Sequence, residues 1–165
     1  YERGLIKKDR EMESGFEEGT RYLFEKKLEC ELLAFDGSDH ADGGVEFKNG
    51  DLLLWDNKGK ESEYTFPQSH LKQFKRYIRE SVIRVGVFVI IVPEIGDGCK
   101  TQAAKLKYES TTDTDVALIT ATDLKYVAEN WRKFSSKGQF DIEVFNITGI
   151  LDRQLLDERM KIILR

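Results

Sequence analysis

Cysteine and histidine are scarce in this chain, two of each in 165 residues. Cys30 and Cys99 are too few and too far apart for a disulfide framework, and with only His40 and His70 to add imidazoles they do not build a zinc cluster. The matching expectation is a reducing, cytoplasmic setting. Long apolar runs are also missing. The longest, Val85 to Pro93, is about half of what is needed to cross a bilayer, so it reads as a buried strand and no membrane partner is expected. A basic excess is absent too, the formal net charge being −4. A domain that gripped duplex DNA unaided would carry a broad basic surface, because phosphate neutralisation supplies most non-specific affinity. An acidic chain of this kind is a poor stand-alone DNA binder. It shows no repeat, no low-complexity segment and no basic-then-apolar leader, and it begins at Tyr1, which predicts a piece of a longer protein.

What is present is core material. With 40% apolar and 11% aromatic residues, the chain has enough for one sizeable core and too little length for two. Phe16, Leu23, Phe24 and Leu28 recur at near-helical spacing and predict a helix over about residues 13 to 28. The Asp/Gly/Ser/His cluster from Asp36 to Gly44 reads as a loop. Asn49-Gly50, between Val45-Glu46-Phe47-Lys48 and Asp51-Leu52-Leu53-Leu54-Trp55-Asp56, is a strong hairpin signal. Leu52 to Trp55 are apolar on both parities, as in a strand covered on both faces. Gly59 to Glu63 reads as a polar turn, after which Pro67 suits the first position of a helix with Leu71, Phe74, Tyr77 and Ile78 on one stripe. Val85 to Val92 is the central strand, closed by Pro93 and a Glu94 to Gly98 loop. A short helix near 101–108, a strand at Val116 to Thr120, a helix capped by Thr122 or Asp123 and closed near Gly138, and a terminal helix from about Asp152 complete the pattern. Between Phe140 and Ile147 strand and helix compete. The order predicts a three-layer α/β domain with a mixed sheet.

One constellation carries chemistry. Asp56 and Lys58 share a face of an extended strand, and Asp42 stands at the start of the partner strand. A tight Asn49-Gly50 turn would pair Lys48 with Asp51, which leaves Asp42 and Asp56 out of direct opposition unless the hairpin is splayed or bulged. If they meet, two carboxylates and the Asn57 backbone carbonyl offer the hard oxygen donors that Mg²⁺, or Mn²⁺ as a substitute, prefers. Such an ion polarises a phosphodiester and helps to deprotonate water. Lys58 would then orient that water and offset charge on phosphorus. The competing readings are plain ones. Asp42-Gly43-Gly44 also suits a turn, Glu17 a solvated helix start, His70 a boundary residue, and Lys72, Lys75, Arg76 and Arg79 either phosphate contacts or a wet helix face. A calcium loop over Asp36, Asp39 and Asp42 is excluded because its closing position holds Phe47. A non-enzymatic interaction module, its acids serving solubility, is the alternative from another class.

These residues resemble the PD-(D/E)xK restriction-endonuclease-like superfamily, most closely the cleavage domain of type IIS restriction enzymes such as FokI. The match rests on Asp42-Gly43 and Asp56-Asn57-Lys58, with Phe66-Pro67 and Arg76-Tyr77-Ile78 around the next helix and Val87-Phe88-Val89 beyond. Ala41 stands where the family has proline. The resemblance implies a restriction-endonuclease-like α/β fold with a central mixed sheet flanked by helices, and Mg²⁺-dependent hydrolysis of double-stranded DNA delivered by a separate recognition domain. It also implies transient homodimerisation and a microbial source. A structure-selective or repair nuclease is the variant role within the same fold. Glu17 is the counterpart of a family glutamate on the preceding helix. His70, with Gln68 and Gln73 nearby, stands where the family often has an active-site glutamine. Lys72 and Arg76 stand where the family pairs an aspartate with an arginine across its dimer, and two cations do not make that reciprocal pair.

Overall fold

The computed structural model describes residues 15–35, 39–59 and 63–165. Its strands are, in chain order, β1 (Gly43–Glu46), β2 (Leu52–Asn57), β3 (Glu63–Tyr64), β4 (Val85–Val92), β5 (Glu94–Ile95), β6 (Asp115–Thr120) and β7 (Gly149–Ile150). The main sheet runs β1-β2-β4-β6-β7, and β3 pairs with β5 in a small separate ladder. β1 is antiparallel to β2, whereas β2, β4, β6 and β7 are mutually parallel. The sheet is therefore mixed, as the alternation of strands and helical segments predicts. Helix α1 is described over 15–22 and passes into a π-helical turn, Leu23–Lys27. It is followed by α2 (Gln68–Glu80), α3 (Cys99–Glu109), α4 (Ala121–Asn130) and α5 (Arg153–Ile163). Positions 13 and 14 of the expected first helix, 36–38 of the loop and 60–62 of the polar turn lie outside the described residues.

Two-sided burial explains the layering. Leu53 and Trp55 of β2 pack with Phe24, Leu124, Val127 and Leu156, so α1, α4 and α5 cover one face. Leu52 and Leu54 pack with Leu71, Phe74, Ala103 and Leu106, so α2 and α3 cover the other. All eight residues of β4 are buried, which is why that strand reads as a continuous apolar run. Among the described residues no helix is long and apolar enough to cross a membrane.

Several boundaries differ from the sequence expectation. Pro67 caps α2 from an extended conformation, φ −69° and ψ 158°, instead of opening it. α4 is capped by Thr120, whose Oγ1 accepts from Asp123 N at 3.1 Å, because β6 runs straight into the helix and no loop separates them. α5 begins where expected, and Asp152 caps it, its Oδ1 accepting from Leu155 N at 2.8 Å. The ambiguous stretch from Phe140 to Ile147 contains a 3₁₀ turn, Ile142–Phe145, and Glu94 to Gly98 is not all loop, since Glu94–Ile95 pairs with β3.

Gly43 and Gly44 are not part of the loop but the first residues of β1. The indole of Trp55, stacked on Phe24 at 4.2 Å and 7°, lies across this strand, and a Cβ on Gly43 would fall 2.0 Å from Trp55 Cζ2. Trp55 is fully buried and has nowhere to retreat. Gly43→Ala is therefore expected to cost about 1–3 kcal/mol or more, the usual range for forcing extra volume into a packed core. Gly15→Ala, whose Cβ meets nothing within 4 Å, should be neutral or stabilising. Urea denaturation of the two variants checks the contrast, and equal stabilities would show that Trp55 repacks freely.

Candidate active site

The register of the hairpin decides the site. Phe47 N donates to Asp51 O at 2.8 Å and Gly50 N donates to Phe47 O at 3.0 Å, so the loop is the three residues Lys48-Asn49-Gly50. Of the loop residues only Gly50 takes a positive φ, +94°, whereas the type I′ turn expected from Asn-Gly needs two. Asn49 instead uses its side chain, Oδ1 accepting from Asp51 N at 2.9 Å. The ladder then pairs Glu46 with Leu52, Val45 with Leu53, Gly44 with Leu54 and Gly43 with Trp55. Continued by one step, it sets Asp42 opposite Asp56. The expectation that the two were out of opposition is thus corrected by a one-residue shift, set by the left-handed third loop residue Gly50, and the β1–β2 ladder itself is regular.

Where the ladder ends, each acid clasps the backbone of the opposite strand. Asp42 N donates to Asp56 Oδ1 at 3.0 Å, and Asn57 N donates to Asp42 Oδ2 at 2.7 Å. Because an extended residue presents its N–H and C=O to the same edge, the Asn57 carbonyl also faces the Asp42 side. Lys58 N donates to Ile91 O at 2.9 Å, carrying the chain on beside β4. The Lys58 ammonium stands 3.3 Å from Asp56 Oδ2 and 5.7 Å from the centre of the Phe74 ring. Asp56 and Lys58 therefore share the α2 side of the sheet, as period-two alternation requires.

The electrostatics are those of a site short of positive charge. Asp56 is only 3% exposed, and burial, then the neighbouring Asp42, pushes its carboxyl up to about 7 against the opposing pull of Lys58. Burial also raises Asp42, in opposition to the Asn57 N–H and Lys58. On the other side of β2, Asn57 Nδ2 donates to Thr20 Oγ1 at 2.6 Å, and Thr20 Oγ1 donates to Phe16 O at 3.0 Å, tying the strand end to α1. The Asn57 Oδ1 is buried with no hydrogen-bond partner among the described residues.

Around this clasp opens a cavity of about 460 Å³. Glu17, Asp42, Asp56, Asn57, Lys58, His70 and Gln73, nominated from the sequence, all line it. Lys72 and Arg76 do not. Lys72 is exposed, and Arg76 makes a two-pronged bond to Asp39, 2.7 Å on each arm.

The family described as the FokI cleavage domain matches residues 4–148. The chain belongs to the FokI cleavage-domain family. Two solved structures are similar to it at 16% identity: restriction endonuclease FokI bound to DNA, with a TM-score of 0.63 over 77% of this chain, and restriction endonuclease FokI, with 0.61 over 75%. In both cases the match covers 25% of the endonuclease chain, so this chain corresponds to about a quarter of their length. No curated protein sequence matched. At this identity the FokI structures establish the fold, a restriction-endonuclease-like mixed sheet between helical layers.

Sequence reasoning did not nominate three neighbours within this FokI-like frame. His40 and Tyr77 line the cavity, His40 stacked on Phe35 at 5.0 Å with Nδ1 2.6 Å from Ala41 O, and Tyr77 accepting from Gln73 Nε2 at 2.9 Å. Thr20 holds Asn57 from behind. Tyr77 was already on the buried stripe of α2, and Thr20 stands four residues after Phe16, the helical spacing of its bond. Nothing in the sequence marks His40, which is placed only by the chain path before Asp42.

Proposed function

We propose that this chain is the DNA-cleaving domain of a type IIS-like restriction endonuclease, working in the cytoplasm of a microbe and fed its double-stranded substrate by a separate recognition domain of the same parent protein. The observation that carries this reading is the opposition of Asp42 and Asp56 at the open end of the hairpin, with Lys58 on the same face.

The donors fit Mg²⁺ or Mn²⁺. Two carboxylates whose anionic forms are disfavoured by burial and by each other gain from a cation, and the Asn57 carbonyl adds a third hard oxygen. Among the described residues no three His, Cys, Asp or Glu side chains are grouped to hold a metal, which suits an ion that keeps several waters and takes phosphate oxygens from its substrate. When bound, such an ion supplies polarisation of the phosphodiester and a more acidic water. The rest belongs to the chain. Asp56 anchors the Lys58 ammonium at 3.3 Å, and Lys58 orients the attacking water and offsets negative charge gathering on phosphorus. Glu17 and Gln73 line the same cavity from α1 and α2. The two Asp42/Asp56 backbone bonds keep the carboxylates in place before substrate arrives, so less ordering is left to the reaction itself.

The test is incubation of the chain, alone and within its parent protein, with plasmid DNA and Mg²⁺, followed by mapping of the ends. Cleavage that depends on Asp56 supports the reading. An Asp56→Ala, Lys58→Ala double variant as active as the wild type would identify an interaction module instead. With net charge −4, the isolated chain should bind duplex DNA without sequence preference and no tighter than about 10⁻⁶ M near physiological salt. A sub-micromolar, sequence-specific titration would overturn the division of labour with a recognition domain. Cutting both strands calls for two opposed sites, so a transient homodimer is part of the proposal. Arg76 is held by Asp39 within its own chain and Lys72 offers it no acid. The two-strand cleavage rate should therefore rise more steeply than linearly with enzyme concentration while the free chain stays monomeric at micromolar concentration. A stable DNA-free dimer would contradict this.

A further inference from the structure

One contact in the cavity wall is not used by the metal chemistry. Tyr64, on β3, is 4% exposed, and its hydroxyl lies 2.9 Å from His70 Nδ1. The two rings stack at 5.6 Å and 11°, and the Phe74 ring lies 6.0 Å from the imidazole, tilted by 43°. The direction of this bond follows from counting donors. A phenol has one O–H and an uncharged imidazole has one N–H. If His70 donated through Nδ1, the buried Tyr64 O–H would be left without an acceptor, since His70 is its hydrogen-bond partner among the described residues, at a cost of about 1–3 kcal/mol. If Tyr64 donates, its proton is satisfied and the remaining ring N–H of His70 is on Nε2, the nitrogen left for the cavity.

The surroundings also favour the uncharged imidazole. Burial, then the Lys58 ammonium, lowers its proton affinity. His70 stands in the first turn of α2, its backbone N–H donating to Pro67 O at 3.0 Å, where the helix end adds positive potential. A neutral imidazole still offers a phosphate oxygen one directed N–H bond through Nε2.

We infer that Tyr64 and His70 act as one unit: the Tyr64 hydroxyl donates to His70 Nδ1 and so fixes the Nε2–H tautomer, and His70 donates that N–H to a non-bridging oxygen of the scissile phosphate. His70 is then a catalytic residue and Tyr64 the positioning residue behind it. The inference rests on the nuclease reading for its substrate, but the tautomer does not depend on that reading.

Two measurements test it. With two histidines in the chain, nitrogen-15 spectra of the metal-free protein at neutral pH report both tautomers, and His70→Gln identifies the His70 signals by their loss. The expected result is a single Nε2–H form in the wild type and a mixture in Tyr64→Phe; an Nδ1–H form, or a tautomer unchanged in Tyr64→Phe, overturns the inference. In single-turnover cleavage of plasmid DNA with Mg²⁺, His70→Ala should lower the maximal rate about 100-fold, the lower end of what losing one donor to a developing oxyanion costs. His70→Gln, which keeps an N–H at similar reach, should recover most of the loss, and Tyr64→Phe should show a smaller loss. His70→Gln as slow as His70→Ala, or His70→Ala at the wild-type rate while Asp56→Asn is inactive, would sink this inference and leave the nuclease reading standing. A wild-type chain and parent protein that cleave nothing would sink the nuclease reading and the catalytic role of His70 with it, while the spectra alone decide the tautomer.

Discussion

Asp42→Ala and Asp56→Ala should each lower the rate of DNA cleavage at least about 100-fold, because losses of that size already follow from removing groups that only support a metal's ligands. A hundredfold loss corresponds to about 2.7 kcal/mol of transition-state stabilisation. The fold should survive both changes. Asp42→Ala removes the acceptor of one backbone N–H, that of Asn57, at the open end of the hairpin, a loss of about 1 kcal/mol. Asp56→Ala removes the acceptor of the Asp42 N–H but also a buried charge. Thermal melts separate the roles. Mg²⁺ or Mn²⁺ should raise the melting temperature of the wild type by preferential binding to the folded state, and should not raise that of either aspartate variant. Lys58→Ala should keep the metal-induced shift while losing cleavage, since the lysine acts on water and phosphate and is not a ligand. Either aspartate variant within about threefold of the wild-type rate in matched Mg²⁺ would remove the assignment.

How much of this was legible from the sequence depends on what each element records locally. The four-residue stripe of α2, the apolar run of β4 and the start of α5 near Asp152 each stand on a pattern a few residues long, and each is where that pattern places it. The hairpin was legible as a hairpin, but its register was not. Asn49-Gly50 announces a turn, and whether the loop has two residues or three depends on Asn49 bonding Asp51 and on Gly50 alone turning left-handed. That single residue separates a site with Asp42 facing Asp56 from one without. Gly43-Gly44 reads as loop because glycine is common there; the true reason for glycine, a tryptophan side chain lying across the strand, is a tertiary contact. The two-residue strands β3, β5 and β7 are too short to show any period. Tyr64 was invisible for the same reason, since only the β3–β5 ladder and the start of α2 bring its hydroxyl to His70.

The second large effect is on stability, and it comes from the same aspartate with no metal or DNA present. In the unfolded chain Asp56 releases its proton near the ordinary 3.8, while in the folded chain burial and Asp42 hold that proton up to about 7. Between these values folding takes up a proton, so the folded state binds more protons than the unfolded one and stability falls as pH rises through the window. Below it Asp56 contributes no penalty, and above about pH 7 the penalty is fully present and constant. A tenfold change in proton affinity corresponds to about 1.4 kcal/mol, and the rise covers about three such factors, so the contribution approaches about 4 kcal/mol. Asparagine at position 56 copies the shape of the protonated acid and never ionises. It keeps an oxygen for the Asp42 N–H but turns an amide toward Lys58, a loss that should not vary with pH over this range. In chelator-treated protein, the stability of Asp56→Asn relative to the wild type should therefore climb between about pH 4 and 7 and then level off, as read by urea denaturation at several pH values. Saturating Mg²⁺ should shrink that difference above pH 7, because the cation stabilises the ionised wild-type pair and has one carboxylate fewer in the variant. A difference that stays flat from pH 4 to 8 would mean that Asp56 ionises like an exposed aspartate, and the charge-starved site drawn from its burial would have to be given up.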